Sequence, residues 1–362
     1  MPASIAHMLI SQQVRNDLRN DDKVTDSDKL KEFLRIVLDK YPAFMELGSL
    51  GPDLPYFGSL LKALWTTVIY KVDKPMDFDR WSYQLHSKDT NIFPLRLIEV
   101  TRKEANPNTV DWDETDRMKF AFLCGFLTHV AADQIIHPLV NAIAGSYYKR
   151  ILSRDEHRTC EIYQDLYVLA KLQHNGRLLR SDFVETSFDE WCRTKPDELW
   201  SSRAVWFRYF IRKAFVEAHA VCPEEKEITR WIKGIRKTLK YVIHGHFPLR
   251  SLRPFLPYEQ ACKALFDKQG NIKTGTTPYS KYIALEPLNN GNTYDTYLSE
   301  AIELAKIYVR AAFKLYDADE IDTLQRGRFS LVVQPADLGA PLDKDILRTA
   351  SEALSHWDIL HP

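Results

Sequence analysis

A chain of 362 residues with a 45% apolar fraction has enough material for one large domain or two ordinary ones. Lysine plus arginine balance aspartate plus glutamate at 49 each, which excludes a global field that would draw nucleic acid or an anionic membrane to the whole molecule. The five cysteines are scattered without a Cys-x-x-Cys pair, which excludes a disulfide framework or thiolate zinc knuckle as the organising device. The N-terminus has no signal-peptide pattern, so a cytoplasmic protein is expected.

In chain order, helical periodicity predicts helices over 27–40, 57–72, 88–103, 114–144, 146–173, 188–195, 201–220, 225–243, 292–316 and 343–356, with no series of alternating strands. The expected fold class is all-α. Asp113, Glu114 and Asp116 place acids at a helix entrance, where the backbone dipole favours them. Asn290-Gly291-Asn292-Thr293 forms a similar start signal before a long apolar-periodic run. Proline- and glycine-rich connections fall at 48–58, 104–112 and from 247 to 282. The expected organisation is one large helical domain over 1–245, with a C-terminal extension over 246–362, a long loop plus helices, packed on the same domain. The segment 230–253 carries seven lysines and arginines and no acid. It reads first as a solvated helix face, and second as a local patch for peripheral contact with a lipid surface.

The stretch 119-KFAFLCGFLTHVAADQIIHPLVNAIAG-145 is as long and apolar as a membrane span. Its His129, Asp133, Gln134 and His137 would be costly in hydrocarbon, so it is read as the central helix of a protein core, with no transmembrane segment.

Residues four apart on a helix return to nearly the same face. His129, Asp133 and His137 therefore form a ladder, and in 155-DEHRTCEIYQDLY-167 His157 and Glu161 repeat the device, with Asp165 one turn further on. Any one of these histidines alone would read as a satisfied core group. Together they leave several polar groups to satisfy in an apolar helix, at about 1–3 kcal/mol each if unpartnered. Metal ligation satisfies them at once, and imidazole with carboxylate and no thiolate points to a catalytic zinc site.

The strings 48-GSLGPDLPYF-57, 126-FLTHVAADQIIHP-138 and 157-HRTCEIYQD-165, with His7 near the start and His86 between them, resemble the bacterial zinc-dependent phospholipases C. That family shares its all-helical fold with the zinc nucleases of the S1/P1 type. The resemblance covers roughly the first 165 residues. It implies that Asp53, His86, His129 and Asp133 hold one zinc, that His137, His157 and Glu161 hold a second, and that Asp133 bridges. It also implies that His7, with Asp133, contributes to a third. The gap from Asp133 to His137 is shorter than in secreted members and resembles a non-secreted branch, so two zinc ions are expected and a third is left open. Pro138 is expected to kink or end the central helix.

The implied activity is hydrolysis of a phosphate ester, foremost phospholipase C-type cleavage of a phosphodiester by a metal-bound hydroxide. Asp53 is the residue placed to orient or deprotonate that water. Tyr56 and Phe57 would supply an apolar wall for the substrate. A phospholipid or other phosphodiester is the expected partner. A zinc nuclease or nucleotide phosphodiesterase, and a non-catalytic metal-binding homologue, remain the alternatives, although no strong nucleic-acid signature is present.

Overall fold

The computed structural model describes residues 4–20, 37–58, 79–86, 89–104, 114–145, 151–173, 175, 205–244, 256–273, 280–284, 291–318, 320–335, 343 and 345–360. Along them lie α1 (Ser4–Asn20), α2 (Pro42–Ser49), α3 (Leu54–Phe57), α4 (Asp79–His86), α5 (Ile92–Glu104), α6 (Glu114–Ala144) and α7 (Ile151–Gln173). These are followed by α8 (Val205–His219), α9 (Glu225–His244), α10 (Leu256–Leu265), α11 (Tyr294–Asp317), α12 (Thr323–Val332) and α13 (Ile346–Leu360). Among the described residues the only β pairing is one isolated antiparallel bridge, Phe266 with Ile272. The all-α expectation is met.

The core is organised around α6, which packs against α1, α2, α5, α7 and α11. Its central run from Lys119 to His137 is buried at every position, because neighbours cover it on all sides. The helix is long and apolar enough to cross a membrane, yet 94% of its apolar window is buried inside the protein. α11 meets it through Tyr308, whose hydroxyl bonds Gln134, and through Tyr316, whose ring lies edge-on to Phe120 with centroids 5.3 Å apart; Ala301, Ala305, Ala311 and Ala312 of the same helix are fully buried. Large anchors such as Tyr308 and Leu315 flank them, and full burial of a residue of this size stabilises by roughly 1.5–3 kcal/mol.

Pro138 does not end α6, which continues to Ala144. Only the hydrogen bond from residue 138 to the Gln134 carbonyl is lost, and burial on both sides of the proline holds the remaining turns in place. Helices form at Glu114–Ala144, Val205–His219, Glu225–His244, Tyr294–Asp317 and Ile346–Leu360 close to their predicted ranges. The predicted helix 188–195, most of 27–40 and 57–72, and Cys192 lie outside the described residues. The other four cysteines are free thiols.

Periodicity did not reveal α1, α2, α4, α10 or α12. In α1 the reason is physical: Ser4, His7, Ser11 and Gln12 are buried, so the inward face carries polar groups and the apolar stripe is interrupted. Gln12 meets the buried Glu46 of α2, its Nε2 donating to Oε1 at 2.8 Å.

Candidate metal centre

Five pieces of chain converge on one buried cluster. α6 supplies His129, Asp133 and His137 from successive turns, α7 supplies His157 and Glu161, α4 ends on His86, the turn after α2 carries Asp53, and the first turns of α1 carry His7. All eight side chains are buried, from 0% exposure at Asp53 to 9% at His137.

The approach of α2 to α6 depends on two glycines. A Cβ on Gly125 would lie 1.8 Å from the Met45 carbonyl oxygen, and one on Gly48 would lie 1.9 Å from that of Phe122. With hydrogen at both positions the two backbones touch, and the Ser49 carbonyl comes within 2.7 Å of His129 Nδ1. His86 is held similarly, with Nδ1 2.7 Å from the Ser82 carbonyl and 3.1 Å from Ser82 Oγ, while that hydroxyl donates to the Pro52 carbonyl at 2.9 Å. Gly145 ends α6 with a positive φ of 81°, which turns its carbonyl to His157 Nδ1 at 3.2 Å. A carbonyl only accepts, so each of these Nδ1 atoms carries the proton and each Nε2 presents a lone pair.

These lone pairs face one another and the carboxylates. His86 Nε2 lies 3.1 Å from His129 Nε2 and 3.3 Å from Asp53 Oδ1. Asp133 Oδ2 is 3.1 Å from His129 Nε2 and 3.6 Å from His86 Nε2. Its other oxygen, Oδ1, is 3.2 Å from His137 Nε2 and 3.3 Å from His7 Nε2. On α7, His157 Nε2 is 3.1 Å from Glu161 Oε1. Bonds of 2.0–2.1 Å directed to the corners of a tetrahedron set donors about 3.3 Å apart, which is the spacing found here. Both oxygens of Asp53, together with Asp133 Oδ1 and Glu161 Oε2, are buried without a hydrogen bond. Acceptors gathered in this way call for a cation among them, so the donor set fits zinc.

Among the described residues three groups have donors close enough to share an ion: His7 with Asp53 and His129; His86 with His129 and Asp133; and His137 with His157 and Glu161. His7 thus groups with Asp53 and His129, its ring stacked on His129 with centroids 3.9 Å apart, while its Nε2 also reaches Asp133.

The carboxylates stay ionised. Burial pushes the Asp133 carboxyl up, but His129 and His137 outweigh it and hold it well below the ordinary range. Asp53, opposed by burial in the same way, is lowered by His129, His86 and His7, and Glu161 by His157 and His137. Burial disfavours charge on His137, yet Asp133 prevails and its pKa is pushed up to about 9.

Of the two residues expected to wall the substrate, Tyr56 borders the cluster with its ring centroid 6.3 Å from that of His86. Phe57 is 1% exposed and belongs to the hydrophobic core. Several residues that shape the site had not been singled out: Ser49, Ser82 and Gly145, which act mainly through main-chain carbonyls, and Gly48 and Gly125. The glycines left the only readable trace, since a helix interior disfavours glycine unless a close contact requires it.

The family model for zinc-dependent phospholipase C matches residues 6–209. No curated protein sequence and no solved structure matches the chain.

Proposed function

The chain belongs to the zinc-dependent phospholipase C family, and on that premise we propose that it hydrolyses a phosphodiester, water adding to the phosphorus of a phospholipid and diacylglycerol leaving, so that the head group is released as its phosphate monoester. The observation carrying the proposal is the inward-facing set of Nε2 atoms around the divided carboxylate of Asp133. One ion would be held by His86, His129, Asp133 and Asp53 on the Oδ2 side. Another would be held by His137, His157 and Glu161, with Asp133 Oδ1 towards them, and His7, whose Nε2 lies 3.3 Å from that oxygen and which groups with Asp53 and His129, would serve as a further metal ligand.

Zinc bound there would act as a Lewis acid towards the phosphoryl oxygens and lower the pKa of a water towards about 7. The residues of the chain do the rest. Asp53, ionised and fully buried, accepts a hydrogen bond from the attacking water and orients it. The Ser49, Ser82 and Gly145 carbonyls keep three imidazoles in the Nε2-facing tautomer. Tyr56 supplies a flat apolar surface beside His86 for the ester's organic portion.

Zinc per chain after chelator-free purification, followed by assays on phosphatidylcholine vesicles, single-stranded DNA and a chromogenic phosphodiester, tests the reading. At least one zinc per chain, vesicle hydrolysis, and loss of most turnover in Asp53→Asn with zinc retained are expected. Activity on DNA alone would replace the substrate proposed here, and a zinc-loaded protein inert on all three would make it a binding homologue.

A further inference from the structure

Asp165 continues the ladder of His157 and Glu161 by one more turn of α7 and is fully buried, yet it falls in none of the three groups that could share an ion. Its carboxylate instead reaches across to α1, where Oδ1 accepts the backbone N–H of Ala6 at 2.8 Å. Ala6 lies in the first turn of α1, where backbone N–H groups lack helical partners and the dipole favours an anion. The next residue is His7. Unlike His86, His129 and His157, whose Nδ1 atoms are tied to carbonyls, His7 has no hydrogen bond on Nδ1. Its ring is held by stacking on His129, by Asp133 Oδ1 3.3 Å from Nε2 and by the path of its own backbone.

We propose that Asp165 is a positioning residue for the metal centre: by accepting the Ala6 N–H it fixes the first turn of α1 and so sets His7 Nε2 against Asp133. The bond does for His7, through the main chain, what the carbonyls do for His86, His129 and His157 through Nδ1. It also joins α7, which carries His157 and Glu161, to the helix carrying His7. The inference rests on His7 being a metal ligand, as proposed above.

The test compares wild type, Asp165→Ala, Asp165→Asn, His7→Ala and the double variant Asp165→Ala/His7→Ala. Two quantities are read: zinc affinity by competition with a chromophoric chelator, and amide exchange over residues 4–10 in zinc-free protein. Asp165→Ala should weaken the tightest His7-dependent zinc step about tenfold or more and accelerate exchange at Ala6 and His7. Asp165→Asn retains an acceptor oxygen and should stay within about threefold of wild type. The double variant should bind zinc no more weakly than His7→Ala, because both changes remove one interaction.

Unchanged exchange and affinity in Asp165→Ala, additive losses in the double variant, or an Asn variant as impaired as Ala would each overturn the proposal. A wild type that binds no zinc would overturn the metal centre and this inference together, whereas a loaded wild type beside an unaffected Asp165→Ala removes only the inference. If Asp165→Ala does not fold, Ala6→Pro removes the donor within a first helical turn, where proline is tolerated. The same loss of zinc affinity is then expected, and an unchanged affinity overturns the proposal.

Discussion

Tyr308 of α11 donates its hydroxyl hydrogen bond to the side-chain oxygen of Gln134, the residue that follows the candidate ligand Asp133 on α6. Gln134 Nε2 in turn donates to the Gln334 carbonyl at 2.7 Å. Both partners lie beyond the residues matched by the family model, so the C-terminal part of the chain buttresses the helix that carries His129, Asp133 and His137. Tyr308→Phe removes the donor and leaves a buried acceptor unsatisfied. A loss of about 1–2 kcal/mol is expected in urea unfolding of the zinc-free protein, together with weaker zinc binding. Stability within about 0.3 kcal/mol of wild type would show that the bond does not matter.

The contact between α2 and α6 makes a second prediction. Gly125→Ala sets a methyl group against the Met45 carbonyl, main chain on main chain, so only separation of the helices relieves it. Overpacking of this kind costs about 1–3 kcal/mol or more, and the shift draws the Ser49 carbonyl away from His129. Both stability and zinc affinity should fall. Gly327, inside α12 and with nothing within 4 Å of where a Cβ would stand, is the matched control. There alanine should stabilise by roughly 0.5–1 kcal/mol, through helix propensity alone. Thermal melts of both variants, with and without zinc, check the pair.

The parts of this site readable in advance were those that follow helical geometry. His129, Asp133 and His137 stood out as polar groups at one-turn intervals in an apolar helix, and His157 and Glu161 repeated the interval. Asp53, His86 and His7 are far apart in sequence and carried no such mark; only the resemblance to a family pointed to them. α1 stayed hidden because the cluster it faces is polar, so Ser4, His7, Ser11 and Gln12 are buried where apolar residues would have signalled a helix. The carbonyls of Ser49, Ser82 and Gly145 were unreadable for another reason: every residue has a carbonyl, and only tertiary structure decides where it points. Of the two expectations for Pro138, a kink or an end, the end is not met: the helix runs on to Ala144, since its packing tolerates the missing hydrogen bond.

The charge balance at Asp133 predicts opposite pH behaviour for the zinc-free and zinc-bound forms. In the folded protein His137 has its pKa pushed up from 6.5 to about 9, Asp133 outweighing burial. Its protonated form therefore stabilises the zinc-free fold fully below about pH 6.5, and this contribution disappears as pH rises through about 9. Asp133, Asp53 and Glu161 have lowered pKa values, so their contribution is present above the ordinary carboxylate range and is lost as pH falls through the folded values. The chelated protein should thus be most stable near about pH 5–6.5 and lose stability towards about pH 9. Zinc requires the neutral imidazole, so its affinity should rise, by about tenfold per pH unit for one released proton, over that same interval. Melts and chelator competition from about pH 5 to about pH 9.5 read both trends, and a zinc-free melting temperature flat between pH 6.5 and 9 would contradict the His137 assignment.

Ser82 offers the sharpest separation between holding a ligand and holding the fold. Its carbonyl accepts from His86 Nδ1 at 2.7 Å and survives any substitution. Its hydroxyl donates to the Pro52 carbonyl at 2.9 Å and thereby fastens α4 to the turn that carries Asp53. Ser82→Ala removes that link, one hydrogen bond worth about 0.5–1.5 kcal/mol, together with the 3.1 Å contact of Oγ with His86 Nδ1, and leaves a methyl group that fits the same space. His86 and Asp53, 3.3 Å apart across it, should then lose their fixed separation. Zinc affinity of the His86 site should fall by about tenfold, while the site of His137, His157 and Glu161 is unchanged. Stepwise zinc titration followed by competition resolves the two sites. Equal weakening of both would mean that the substitution disturbs α6 as a whole and that Ser82 has no particular hold on His86.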